Sequence, residues 1–200
     1  MWEPAVQQTK IFYKSGSIMK KRTSKQIFVE TFLELSRELP IDKITVKKIV
    51  EESGLSLKTF YNHFPDKYSL MLYIEQIESN RLHEKLSDGD LTFQDYLREG
   101  IEYYRKIKHF LSNAFENTQG ADSYAKMHTE EACRSLLDYI QKKNGLTEIP
   151  ADVVFAERFY ANGLASSFFD YNFGENKLTE NEFIRYCVEC IPEKLKPYLL

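Results

Sequence analysis

Apolar side chains recur at helical spacing along most of the chain. Phe28, Phe32, Leu35 and Leu39 stand four, three and four residues apart, which is the inward stripe of an amphipathic helix. Thr23-x-x-Gln26 opens that helix as a capping box, and Leu39, the residue before Pro40, closes it. Thr45 caps a short second helix with Val46, Ile49 and Val50 inward. Ser53-Gly54 ends it, because glycine tolerates left-handed backbone. Ser56 caps a third helix from Leu57 to His63, which must break before Pro65, and Asp66 caps a long fourth to about Leu86.

The remainder reads as further helices. Ser87-Asp88-Gly89-Asp90 is a turn, 91–108 and 109–117 are helical, and Thr118-Gln119-Gly120 interrupts the pattern. A helix over 121–143 ends at Asn144-Gly145. Pro150 starts another, carrying Val153, Val154, Phe155, Phe159, Tyr160, Leu164, Phe168 and Phe169, more large apolar groups than one thin core can take. Thr179-x-x-Glu182 opens a last helix with Phe183, Ile184, Cys187, Val188 and Ile191, bent at Pro192. There is no strand alternation and no internal repeat, so the fold class expected is all-α.

Composition narrows the classes. With 42% hydrophobic residues in 200, the chain can bury a real core, which excludes wholesale disorder. A formal charge of −3 excludes a uniformly basic nucleic-acid coat, but the charge is uneven: residues 1–18, 19–70 and 71–200 carry +1, +3 and −7. A basic module ahead of an acidic body points to a polyanion at the N-terminal end. Eight Gly and six Pro suit long helices. Cys133, Cys187 and Cys190 are too few for a disulfide framework and favour a reducing compartment. Phe159 to Phe169 is too short to span a bilayer, and Met1 to Ser17 lacks a signal peptide's apolar core. A cytoplasmic protein is expected, divided into a flexible extension (1–18), a basic N-terminal module (19–67) and a helical body (68–200).

Helices two and three, joined by Glu52-Ser53-Gly54-Leu55, have the lengths and tight turn of a helix-turn-helix, whose second helix enters the major groove by its N-terminal residues. Thr45 and Ser56 each put a hydroxyl and free N–H groups at a helix N-terminus, where the dipole favours a phosphate. Lys67 adds a full charge at the next helix start, and Tyr61 and His63 can donate to backbone oxygens. Base reading falls to the outward face: Leu57 on a thymine methyl, Lys58 on guanine O6 and N7, Asn62 on adenine or a phosphate, Thr59 on either. Phe60 and Phe64 point inward onto Phe28, Phe32 and Ile49.

Ile44-Thr45-Val46-x-x-Ile49, followed by Gly54-Leu55-Ser56-x-x-Thr59-Phe60-Tyr61-x-His63-Phe64-Pro65-Asp66-Lys67-x-x-Leu70, resembles the DNA-binding signature of TetR-family transcriptional regulators over residues 24–70. Pro40 stands where that family usually has Gly, and Ser36 where it usually has a large apolar residue; both touch packing. The resemblance implies phosphate contacts from Thr45, Ser56, Tyr61, His63 and Lys67, with Leu57, Lys58 and Thr59 nearest the bases. It implies an N-terminal three-helix helix-turn-helix domain followed by a larger helical ligand-binding and dimerisation domain. The function implied is a sequence-specific regulator, a repressor released or modulated by a small-molecule effector. An activator of the same family and a helical ligand-binding protein are the alternatives.

The expected partners are a palindromic double-stranded operator, a second copy of the chain and an unidentified effector, with no membrane. A homodimer engages two half-sites about 34–36 Å apart or a multiple of it. The resemblance places its interface on helices near 151–172 and 180–197, with Phe155, Phe159, Phe168, Phe183 and Cys187 as candidates. The middle segment, 91–145, would form the effector pocket, with Tyr96, Tyr103, Tyr104, Phe110, Tyr124 and His128 as lining. Phe110 to Phe115 and the ending from Ile191 to Leu199 resemble family members related to regulators of dihydroxyacetone kinase operons.

Enzyme signatures are missing: there is no Gly-x-Gly-x-x-Gly, Gly-x-x-x-x-Gly-Lys, His-Glu-x-x-His or Gly-x-Ser-x-Gly. Cys187-x-x-Cys190 puts two thiols on one helical face but lacks the other ligands of a structural zinc site. No catalytic residue, metal or cofactor is expected.

Overall fold

The computed structural model describes residues 22–120, 123–175 and 177–200, and over these the chain is helical with no strand. The extension expected over 1–18 lies outside the described residues. Two compact units divide between Leu70 and Met71.

The N-terminal unit holds α1 (Ser24–Glu38), α2 (Val46–Ser53) and α3 (Leu57–Tyr61). Thr23 and Gln26 form the capping box of α1. Leu39 is extended at φ −130°, ψ 141°, as the following proline demands. A 3-10 turn, Ile41–Lys43, leads to Thr45, whose hydroxyl accepts from Lys48 N–H at 3.2 Å. Gly54 ends α2 in the left-handed region at φ 69°. Ser56 caps α3, accepting from Thr59 N–H at 3.0 Å.

The core of this unit is apolar. Phe28, Phe32, Ile41, Ile44, Ile49 and Phe60 are fully buried. Phe28 meets Phe60 edge-on at 5.2 Å and Phe64 at 6.4 Å, so the inward aromatic pair holds α3 against α1. Ser36, buried where a large side chain was expected, donates its hydroxyl to Leu33 O at 2.8 Å. That bond satisfies the polar group locally and removes the cost of burying it.

The C-terminal unit contains most of α4 (Lys67–Asp88), with α5 (Phe93–Lys106), α6 (Lys108–Glu116), α7 (Tyr124–Lys143), α8 (Ala151–Phe173), α9 (Glu180–Glu189) and α10 (Lys196–Leu199). Asp66 caps α4, accepting from Ser69 N–H at 2.7 Å. Thr92 and Asp95 form a capping box on α5, and Thr179 and Glu182 form the expected one on α9. Helix α7 packs along α8, and α5 against α8 and α9. The core gathers Leu97, Ile101, Leu136, Ile140, Ile184 and Leu195 among others. No helix among the described residues is long and apolar enough to cross a membrane.

Two boundaries differ from expectation. The last helix does not run to 197: α9 stops at Glu189 with Cys190 as its C-cap, and α10 is separate. Pro192 has no N–H to continue the ladder, so it ends the helix rather than bending it. Helix α3 stops at Tyr61, and Asn62 and His63 continue as a turn bonded back to Lys58 O and Phe60 O.

Candidate functional site

The outward face of the helix-turn-helix carries the sequence-predicted DNA-contacting set. Thr45, Ser56, Lys58, Asn62 and His63 are exposed. Leu57 and Tyr61 are 47% and 56% exposed, unusual for residues of their size unless something is to cover them. Phe60, between them on the same five-residue helix, is fully buried, so one side of α3 anchors and the other is presented. Thr59 is half-buried, its hydroxyl 2.8 Å from that of Ser56. The two hydroxyls and the N-terminal N–H groups of α3 make a compact donor cluster of the kind that receives a phosphate.

Lys67 sits differently from expectation. Its ammonium donates to Ile41 O at 2.8 Å and Ile44 O at 3.0 Å, so it clamps the 3-10 turn to the start of α4. Ile41 O also accepts from Ile44 N–H at 3.1 Å, so the lysine adds a second bond to that carbonyl. Lys67 thus fixes the approach to the Thr45 cap.

Within the C-terminal unit, helices α4, α5, α7 and α8 enclose a cavity of about 140 Å³. Tyr96, Tyr103, Tyr104 and His128 line it, as the sequence predicts. Phe110 and Tyr124 do not: both are buried, packed edge-on at 5.6 Å, and their rings belong to the core behind the wall. Sequence reasoning missed the contribution of α4, which supplies Glu75, Glu78 and Leu82. Tyr124 O–H and His128 Nδ1 both donate to the Glu75 carboxylate, His128 at 2.9 Å, and His128 Nε2 lies 2.8 Å from Tyr104 Oη. Burial alone would depress the His128 pKa, but the facing Glu75 charge outweighs it and raises it. Tyr103 donates to Ile74 O at 2.7 Å. The Tyr96 phenol is pushed up to about 12 by burial.

Of the residues expected at the dimer interface, Phe155 and Phe159 are 74% and 75% exposed, one helical turn apart on α8. Phe168, Phe183 and Cys187 are buried inside their own subunit. The Phe168 and Phe183 rings meet at 5.3 Å, so these three stabilise the protomer and leave the surface to the other two. Cys187 and Cys190 also part company: Cys187 is buried and Cys190 exposed, so the two thiols do not share one environment. Glu157, fully buried on α8, has neither carboxylate oxygen hydrogen-bonded among the described residues. Burial raises its pKa to about 7.

Residues 33–74 match the family described as bacterial regulatory proteins, tetR family. No curated relative matches the sequence. A crystal structure of a TetR transcriptional regulator from Streptococcus agalactiae 2603V is similar at a TM-score of 0.56 and 17% identity, over 84% of this chain and 92% of that one. The dihydroxyacetone kinase operon activator DhaS is similar at 0.54 and 16%, over 84% and 95%. At these identities the likeness concerns the fold. Residues 33–74 thus match the tetR family of bacterial regulatory proteins, and the described residues share the all-helical fold of the TetR regulator structure.

Proposed function

We propose that this chain is a cytoplasmic transcriptional regulator that binds a palindromic operator as a homodimer and represses until a small molecule occupies the cavity of its C-terminal unit. The observation that carries the reading is α3, where the buried Phe60 holds a short helix whose Leu57, Lys58 and Tyr61 stand in solvent. Lys58 reads a guanine edge, Leu57 packs on a thymine methyl, and Ser56 with Thr45 seats the phosphates on either side. Phe155, Phe159 and Gly163 recur every four residues on α8, and a Cβ at Gly163 would meet nothing within 4 Å. That stripe is the surface on which a second copy packs. The relay is α4, which begins at the Lys67 clamp and carries Glu75, Glu78 and Leu82 into the cavity wall. Occupancy that shifts the helix alters the spacing of two reading heads.

Selection of bound duplexes from a random pool, followed by affinity titrations against salt, tests this. A recovered palindrome and a log–log salt slope of about −0.9 per neutralised phosphate are expected. Lys58→Ala should narrow the gap between operator and scrambled duplex by about 1–3 kcal/mol. Phe159→Glu should yield monomers by sedimentation. No affinity for any duplex at low ionic strength overturns the reading. One fold neighbour is a dihydroxyacetone kinase operon activator, which favours activation as the second reading; a reporter fused to the recovered operator separates the two.

A further inference from the structure

We infer that the cavity of the C-terminal unit is a site for a small organic cation, a protonated amine or guanidinium on a single ring. This deepens the effector reading above and depends on it only for its regulatory consequence. At about 140 Å³ the cavity is close to the roughly 150 Å³ that admits benzene in a packed protein core, so the occupant has one ring and little else. The rings of Phe93, Tyr96, Tyr103, Tyr104 and Phe168 line it. Tyr96 stacks on both Phe93 at 5.6 Å and His83 at 5.2 Å, so Tyr103, Tyr104 and Phe168 are the rings left to meet an occupant, and Tyr104 meets Phe168 edge-on at 5.7 Å. Aromatic faces carry partial negative charge and attract a desolvated cation.

The charged groups on the wall point the same way. Glu75, Glu78 and Glu131 line the cavity, and no lysine or arginine does. The arginines that pair with two of these carboxylates, Arg81 with Glu78 and Arg134 with Glu131, are 41% and 55% exposed at their side chains, against 16% and 12% for the glutamates. The arginine heads are therefore more open to water than the carboxylates they pair with. His128 is the one lining residue that can turn cationic, and Glu75 already sits against it at 2.9 Å. Finally, Tyr96, whose hydroxyl makes no hydrogen bond among the described residues, is one of the lining residues. Its lone pairs suit an N–H donor. An anion would meet three carboxylates, offset only by the partners already bonded to them, Arg81, Arg134 and His128.

Three ligands of matched shape test the inference by isothermal calorimetry on the full chain without DNA: benzylammonium, benzyl alcohol and benzoate. Benzylammonium should bind at least tenfold more tightly than the alcohol, and benzoate should not bind. Glu131→Gln should weaken benzylammonium about threefold to tenfold and leave the alcohol unchanged. Ala132→Leu, which fills the cavity with an apolar side chain, should remove binding of both while the melting temperature holds. Equal or tighter binding of the alcohol or benzoate overturns the inference, as does binding of none at millimolar concentration or insensitivity to Ala132→Leu. Benzylammonium that binds but leaves operator affinity unchanged keeps the cation site and defeats the effector role. Lost DNA affinity in the salt titration defeats the regulator and leaves the cation site intact.

Discussion

The two units solve the problem of polar groups in opposite ways. Among the described residues of the N-terminal unit the buried polar groups are hydroxyls, Thr31 and Ser36, and the charges stay outside. In the C-terminal unit Glu75, His83, His128 and Glu157 are buried. One unit is an apolar wedge that presents a surface; the other keeps ionisable groups inside at a cost, and two of them, Glu75 and His128, line a cavity. Polar groups that a fold buries without need for stability are the ones available for recognition.

The largest test of that contrast falls on the wedge. Phe60→Ala should destabilise the N-terminal unit by about 3–5 kcal/mol and abolish operator binding, read by urea denaturation and gel shift. A loss under about 1 kcal/mol would mean that α3 is held by something other than its buried ring. Next comes the body. Glu157 has a folded pKa of about 7 against an ordinary 4.5, so the folded chain holds this proton more tightly than the unfolded one. Its contribution to stability is most favourable below pH 4.5, declines as pH rises through about 7, and is level above. The decline amounts to at most about 3 kcal/mol. Glu157→Gln should remove that slope and be more stable than the parent at pH 8; identical denaturation profiles from pH 4.5 to 8 would show that the carboxylate is solvated.

Smaller effects sharpen the wedge alone. Gly54 sits at φ 69° with open space around its Cβ position, so Gly54→Ala should cost about 1–2 kcal/mol through backbone strain alone. Gly54→Asn should cost less, because asparagine tolerates that region. Ser56→Ala, which deletes the cap of α3, should cost about 1 kcal/mol in thermal melts. Its loss of DNA affinity should exceed that stability loss if the hydroxyl also meets a phosphate.

Legibility followed the same division. Around α1 to α3 every boundary carries local chemistry: a capping box at Thr23, hydroxyl caps at Thr45 and Ser56, Gly54 at a left-handed turn. Local signals of that kind survive in the sequence. The cavity is assembled from α4, α5, α7 and α8, and only the tyrosines and His128 of the middle segment were visible beforehand. Glu75 and Glu78 on α4 read as ordinary solvated charges, because nothing in a linear pattern reveals that a glutamate faces a histidine 53 residues away. The apolar excess on α8 was legible as an excess but not in its direction. Phe155 and Phe159 turn outward while Phe168 packs on Phe183, and only the neighbouring α9 decides which.

Helix α3 is five residues long, far below the length at which a helix holds itself together. Its posture is borrowed from the glycine turn, the serine cap and one phenylalanine. Leu57, Lys58 and Asn62 therefore carry no architectural duty. Exchanging them should redirect the protein to new operators without refolding it, so that target choice can drift over generations while the scaffold stands still.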